Sequence, residues 1–208
     1  MPEQATEAVR VLIVDDDPAL RGALNGVLDM HGYAVLEADS RKSALQVLEA
    51  HADIAVVILD LGMPPAVHST VEGLAVIKAL SAMMVPAKII VLTGQDHEQS
   101  AFEAIREGAF DFLSKPASIE DILQSVKRAE LFYRKEQALA EEGTTRLQFN
   151  AKVSDGLKAV REEAEEKLVR QVLKDTGFNI YASAARLGLK RESLYYFLKK
   201  FEIKRDDS

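Results

Sequence analysis

The sequence predicts an α/β domain, an open parallel sheet with helices on both faces, followed by a small all-helical domain. Three observations carry this expectation. Over residues 1–125, short apolar runs alternate five times with segments of helical periodicity. Beyond residue 150 only helical periodicity remains, punctuated by single glycines. Charge divides the same way: residues 1–125 carry 8 Lys/Arg against 19 Asp/Glu, residues 151–208 carry 13 against 10, and Phe178–Arg205 carries 7 against 2. An acidic front and a basic back suit modules with different partners.

The elements follow in order. Val11–Val14 is a continuous apolar run ending at Asp15, and Asp17-Pro18 offers an N-cap with proline in the first helical position. Leu20, Leu24, Val27 and Leu28 keep helical spacing up to Gly32. Ala34–Ala38 reads as a strand, and Ser40 caps a second helix carrying Ala44, Leu45 and Leu48. Ile54–Leu59, six apolar residues rich in β-branched types, is the clearest buried strand. Leu74–Leu80 is a helix, Lys88–Leu92 a strand, Gln99–Glu107 a helix and Phe110–Leu113 a strand. Ser118-Ile-Glu-Asp121 has the form of a capping box opening the fifth helix. Its stripe of Ile119, Ile122, Val126, Ala129 and Tyr133 fades from Arg134 onward, extending the helix to about residue 140 at most. The expected division is therefore a first domain over residues 1–128, a linker over 134–150, and a helical domain over 151–208.

Composition excludes several classes. The chain has 208 residues, 48% of them hydrophobic and 28% charged, which suits one or two packed domains and not a disordered or low-complexity protein. It contains no cysteine, so disulfides, thiolate zinc sites and thiol nucleophiles are absent. His31, His51, His68 and His97 are scattered without metal-ligand spacing. No apolar run is long enough to span a bilayer, and MPEQATEAVR lacks the features of a secretory signal. A cytoplasmic address, without membrane contact, is expected.

The informative residues of the front half stand at strand ends. Asp15 and Asp16 follow the first strand and Asp60 the third, Thr93 ends the fourth, and Lys115-Pro116 closes the fifth. The carboxyl ends of parallel strands line one crevice. Carboxylates gathered there repel one another unless a cation neutralises them, and an oxygen-only donor set suits Mg²⁺. A hydroxyl and an ammonium at the same rim can grip phosphoryl oxygens, making a site for phosphoryl transfer. Each residue alone is unremarkable, since an aspartate after a strand is commonly a turn residue. The joint arrangement carries the inference.

VLIVDDDPALR, VVILDLGMP, VLTG and GAFDFLSKP resemble the receiver domain of two-component response regulators, over nearly all of residues 8–128. The resemblance implies a flavodoxin-like (βα)5 fold with strand order 2-1-3-4-5. It implies that Asp60 is the phosphoacceptor. It further implies that Asp16, Asp60 and the backbone carbonyl of Gly62 ligate Mg²⁺, with Asp15 acting through water. Thr93 would follow the phosphoryl group, Lys115 would pair with it, and Phe112 would be the aromatic that swings inward when Thr93 moves. Phe112 can also be a plain packing residue of its strand. Between Met63-Pro64 and Gly73 this chain inserts Pro65-Ala-Val-His-Ser-Thr-Val-Glu. That stretch is open to two readings, a shield or contact surface beside the acceptor and an inert surface loop. Gly62 and Gln95 flank the position where the family tunes hydrolysis of the acyl phosphate.

In the back half, Leu157, Val160, Ala164, Leu168 and Val172 trace one face of a long helix ending at Gly177. Two short helices follow with Gly188 between them, as in a helix-turn-helix. On a helical wheel Leu194, Leu198 and Phe201 share a face with Phe197 at its edge, and Glu192, Tyr196 and Lys199 point away. Arg191, Ser193 and Tyr196 are the expected base-edge readers, with Lys190, Lys199 and Lys200 on phosphates. Periodicity and charge leave a small helical dimerisation module as an equal alternative. LVRQVLKDTGFNIYASAARLGLKRESLYYFLKKFEI, however, is similar to the Fis-type DNA-binding domain that ends NtrC-like activators. That resemblance implies double-stranded DNA as partner and a homodimer. The ATPase domain of those activators has no place here, because about 40 residues separate Ser125 from Glu165 and no GxxxxGK[ST] occurs.

The expected protein is thus not an enzyme but a DNA-binding response regulator. Asp60 would receive its phosphoryl group from a cognate histidine kinase or phosphotransfer protein. The alternative is a phosphorylated receiver whose helical tail binds a protein instead of DNA.

Overall fold

The computed structural model describes residues 8–65, 69–94, 98–144, 146–147, 154 and 156–205, with only the backbone of Thr93 and residues 98–100. The chain forms two compact units, Met1–Thr145 and Arg146–Ser208.

The first unit alternates β1 (Arg10–Val14), α1 (Pro18–Met30), β2 (Ala34–Ala38), α2 (Arg41–Ala50), β3 (Ile54–Asp60), α3 (Val71–Ala82), β4 (Lys88–Thr93), α4 (Glu98–Glu107), β5 (Asp111–Ser114) and α5 (Ile119–Glu141). The five strands form one sheet of order β2-β1-β3-β4-β5, every pair parallel. All seven residues of β3 are buried, which is why that strand reads as a continuous apolar run with no alternation. The pleat sends Leu12, Val14, Val57 and Leu59 to one core with Leu48, Leu74, Ile77 and Leu80 of α2 and α3. It sends Val11, Ile13, Val56 and Ile58 to the other, with Leu24, Leu28, Ile122, Val126 and Ala129 of α1 and α5. Each such side chain contributes about 1.5–3 kcal/mol on full burial.

Local signals act where expected. The Asp17 carboxylate accepts from the N–H groups of Ala19 and Leu20, and Pro18 opens α1. Ser40 caps α2 in a reciprocal box with Ser43. At Ser118 only half of the expected box forms. Its Oγ accepts from the Asp121 N–H, but the Asp121 carboxylate takes the Ser118 hydroxyl instead of the cap's backbone N–H.

Helix α5 is long: it runs to Glu141, the full extension of about residue 140 that the sequence allowed, and so takes up residues 134–141 at the start of the expected linker. Side chains along this half of α5 dock on their own unit: the Tyr33 hydroxyl donates to Glu130 at 2.9 Å, the Phe110 and Phe132 rings lie 5.2 Å apart, and, beyond Arg134, Lys88 pairs with Glu136. That last contact is polar, so the apolar stripe fades while the helix continues.

The second unit contains α6 (Gly156–Asp175), α7 (Ile180–Arg186) and α8 (Arg191–Lys200). Asn179 caps α7 by accepting from the Ala182 N–H. Gly188 turns the chain between α7 and α8 at φ +66°, a left-handed conformation costly for other residues. Val169, Leu173, Ala184, Leu194 and Ile203 form the core, with Phe178, Ile180, Leu187, Phe197, Leu198 and Phe201 packed around it. On α6 the buried residues are Val169, Val172 and Leu173, so only the last member of the expected stripe turns inward. Leu157 is exposed, and Val160, Ala164 and Leu168 are half-buried. Among the described residues, no helix is long and apolar enough to cross a membrane.

Candidate functional site

Strand order brings together what the chain separates. β1 and β3 are neighbours, so Asp15, Asp16 and Asp60 meet at one end of the sheet with carboxylate oxygens within 4.8 Å of one another. Asp15 is 1% exposed and Asp60 9%. The Asp15 N–H donates to the Ala38 carbonyl at 3.1 Å, and its Oδ1 accepts from the Asp17 N–H at 2.9 Å. Asp60 Oδ1 accepts from the Gly62 N–H at 3.2 Å. Lys115, just past β5, donates from Nζ to Asp15 Oδ2 and to Asp60 Oδ2, both at 2.8 Å. Burial pulls the Lys115 ammonium down, but its hydrogen bonds to Asp15 and Asp60 outweigh that and hold its pKa above the ordinary lysine value. Lys115 is therefore a fixed positive charge at neutral pH.

Three carboxylates and one ammonium leave two negative charges in a half-buried crevice. At this spacing each like-charged pair costs about 3 kcal/mol in an effective dielectric of 20. A divalent, oxygen-preferring cation balances the set, and the donors fit Mg²⁺.

Gly73 fixes the acceptor from the other side. A Cβ there would fall 2.5 Å from Leu61 Cα and 2.9 Å from the Asp60 carbonyl oxygen. Helix α3 thus passes directly against the backbone that follows Asp60, and only glycine permits that approach.

Other expected residues divide. Thr93 ends β4 in register with Ser114, and its hydroxyl lies outside the described atoms. Gln95 and residues 66–68 of the inserted stretch also lie outside the described residues. Phe112, on the edge strand β5, is 41% exposed. Arg21 closes the VLIVDDDPALR stretch, and the sequence assigns it no role. Its Nη1 donates to the Asp15 backbone carbonyl at 2.6 Å, a bond that no spacing rule signals.

In the second unit Lys190 precedes α8 without any side-chain cap bond, and Arg191 is exposed at the first turn. The outward face of α8 is made by Glu192, Tyr195, Tyr196 and Lys199, with Tyr195 58% and Tyr196 63% exposed. Tyr195, which is not among the expected contacts, lies 40° from Lys199 on the wheel. Ser193, an expected base reader, is half-buried instead. Tyr196 meets Phe197 edge-on at 5.5 Å, and Phe197 stacks on Phe201 at 5.9 Å. Lys200, expected on phosphates, has its ammonium paired with Glu162 and Glu165 of α6, each at 3.3 Å, and lying over the Phe201 ring. It sits partway round α8 toward the core, where the α6 carboxylates are its nearest anions. Arg170 adds a second tie, from α6 to the Phe201 carbonyl at 3.0 Å.

Comparison with known proteins agrees with both units. Residues 11–127 match the response regulator receiver domain, and residues 160–201 match the bacterial regulatory protein, Fis family. The chain is 31% identical over 202 residues to the C4-dicarboxylate transport transcriptional regulatory protein DctD of Rhizobium meliloti, which covers 95% of this chain and 41% of that protein. It is 37% identical over 120 residues to a putative transcriptional regulator of Pseudomonas aeruginosa, covering 57% of this chain and 55% of that one. It thus spans about half the length of these relatives. Among solved structures, the receiver domain of NtrX from Brucella abortus superposes with a TM-score of 0.53 at 27% identity, covering 58% of this chain and 97% of that one. A receiver domain from Clostridium thermocellum gives 0.56 at 26% identity, covering 61% and 97%. With its acidic crevice inside the first match and its helix-turn-helix inside the second, the chain belongs to the response regulators and carries a receiver followed by a Fis-type DNA-binding region.

Proposed function

We propose that this response regulator is controlled by phosphorylation of Asp60 and regulates transcription by binding double-stranded DNA through α8. The supporting observation is the pair of 2.8 Å bonds from Lys115 to Asp15 and Asp60, which draws residues from three strand ends into one charged crevice. The phosphoryl donor is a histidine kinase or another phosphohistidine protein. An Asp60 carboxylate oxygen forms the bond to phosphorus as the phosphorus–nitrogen bond to the donor imidazole breaks, and the imidazole leaves with the bonding pair. Asp16, Asp60 and the Gly62 carbonyl would hold Mg²⁺, with Asp15 acting through water. When bound, the ion neutralises the charge that develops on the transferred oxygens. Lys115 releases part of its hold on Asp60 to pair with the new phosphoryl oxygens, and Thr93 donates its hydroxyl to them. Phe112, exposed on β5, then turns inward and alters the surface beside α4 and α5.

The DNA-binding region acts as a homodimer on this reading, supported by Leu157, Val160, Ala164 and Leu168, an α6 face not used by the helix-turn-helix core. Two copies of α8 about 34 Å apart would suit half-sites one helical turn apart. Arg191 and Tyr196 read bases, Lys190 and Lys199 hold phosphates, and Lys200 braces α8 on α6. The receiver spans residues 1–128 with α5 continuing toward the DNA-binding domain at 151–208, and the protein works in the cytoplasm.

The test is Asp60→Asn. With Mg²⁺ and acetyl phosphate, the wild type should gain one phosphoryl group by intact mass, and the variant none. Equal gain in both would move the acceptor elsewhere. Retained duplex binding at low salt, weakening steeply as salt rises, separates the DNA reading from a tail that binds only protein.

A further inference from the structure

The Asp15 carbonyl belongs to the peptide that joins Asp15 to Asp16, so whatever holds that oxygen also sets the direction in which Asp16 leaves β1. Arg21, one turn into α1, donates from Nη1 to it at 2.6 Å. The same guanidinium is anchored through Nε to Glu37 of β2 at 3.3 Å, and Glu37 also accepts from Asn25 Nδ2 at 2.5 Å. Three elements, α1, β1 and β2, therefore converge on one peptide group of the acidic turn.

We propose that Arg21 is a positioning residue of the cation site, orienting the Asp15–Asp16 peptide so that both carboxylates face Asp60, with Glu37 fixing the guanidinium. The inference rests on the reading of the crevice as a divalent-cation site. A planar guanidinium suits the task, because its separate N–H groups serve a carbonyl and a carboxylate at once in fixed geometry. Glu37 balances the arginine's charge, so the clamp orders the turn without adding a net cation that would compete with the metal. A turn ordered beforehand loses less freedom when the ion binds, and residues that orient metal ligands typically contribute about 10–100-fold to affinity.

The experiment is Mn²⁺ binding to the full chain, followed by the electron paramagnetic resonance signal of free Mn²⁺. It compares wild type with Arg21→Met, Arg21→Lys and Glu37→Gln, with metal-free melting curves alongside. Arg21→Met should weaken Mn²⁺ binding about tenfold or more. Arg21→Lys should recover part of the loss, and Glu37→Gln should fall between wild type and Arg21→Met. A merely structural tie would lower the metal-free melting temperature and leave the Mn²⁺ affinity of the folded protein unchanged, and that result would overturn the proposal. Should Arg21→Met fail to fold, unchanged affinity in both Arg21→Lys and Glu37→Gln would overturn it equally. Failure of the wild type itself to bind Mn²⁺ would instead remove the cation-site reading on which the proposal stands.

Discussion

The crevice of the first unit and the outer face of α8 handle charge in opposite ways. In the crevice, Asp15 and Asp60 are buried and both carboxylates pair with Lys115, an ammonium drawn from a distant part of the chain. On α8, Arg191, Tyr195, Tyr196 and Lys199 stand exposed within three turns of one helix, ordered only by the periodicity of that helix. The difference matches the ligands proposed for each. A small, hard cation and a phosphoryl group need oxygens and an ammonium fixed to within fractions of an ångström. A DNA groove takes a rigid helix with side chains free to adapt. Lys200 shows the boundary between the two regimes, since it lies on α8 but is held internally by Glu162 and Glu165.

The strongest way to break this contrast is to remove the ammonium. Lys115→Met leaves two buried carboxylates facing each other, and we expect a loss of roughly 3 kcal/mol in metal-free stability, measured by urea denaturation. Added Mg²⁺ should restore part of that loss, because the site then carries one more net negative charge for the ion to balance. Solution pH offers the same test in the wild type. The Lys115 pKa is raised above 10.5 in the fold, so its contribution is complete below that value and is lost as pH climbs through the higher folded value. A variant as stable as wild type without metal would deny that the crevice is electrostatically tight.

On the exposed side, Arg191→Ala should cost about 1–3 kcal/mol in DNA affinity and relax preference at one base position. Lys199→Ala should instead weaken all sequences alike and reduce the salt slope by about one. Identical behaviour of the two variants in a competition assay on randomised duplexes would erase the distinction between base reading and phosphate contact on this face.

The smallest effect concerns the docking of α5. Burial first, and then the hydrogen bond to Glu130, push the Tyr33 pKa up to about 12 from an ordinary 10.0. Between those values the unfolded chain gives up the phenolic proton while the fold keeps it, so stability falls as pH rises from 10 to 12. Tyr33→Phe should lessen that alkaline decline, leaving the share that other raised groups such as Lys115 contribute, and cost about 1 kcal/mol at neutral pH for the lost hydrogen bond. An unchanged alkaline decline would mean that Tyr33 is not the titrating group.

Much of this architecture was legible before any coordinates. The apolar run of β3, the Asp17-Pro18 start of α1 and the Ser40 cap of α2 all appear where their residues place them. Asp15, Asp16 and Asp60 could be gathered on paper because parallel strands open their carboxyl ends on one side. These are local or topological signals: a cap acts within three residues, a stripe within four, and a strand end follows from chain direction.

What the sequence determined by itself was therefore the kind of sheet, the ends of most helices and the chemical identity of the acidic rim. Tertiary structure alone decided which groups close the contacts. Lys115 reaches Asp15 across 100 residues of sequence, Arg21 grips a backbone oxygen, Lys200 turns to α6, and Glu136 pairs with Lys88 beyond the point where the apolar stripe of α5 fades. The physical reason is that an ion pair or a carbonyl bond has no period and no preferred separation along the chain. It forms wherever the packed backbone leaves a charge without water, and only the finished fold creates that place.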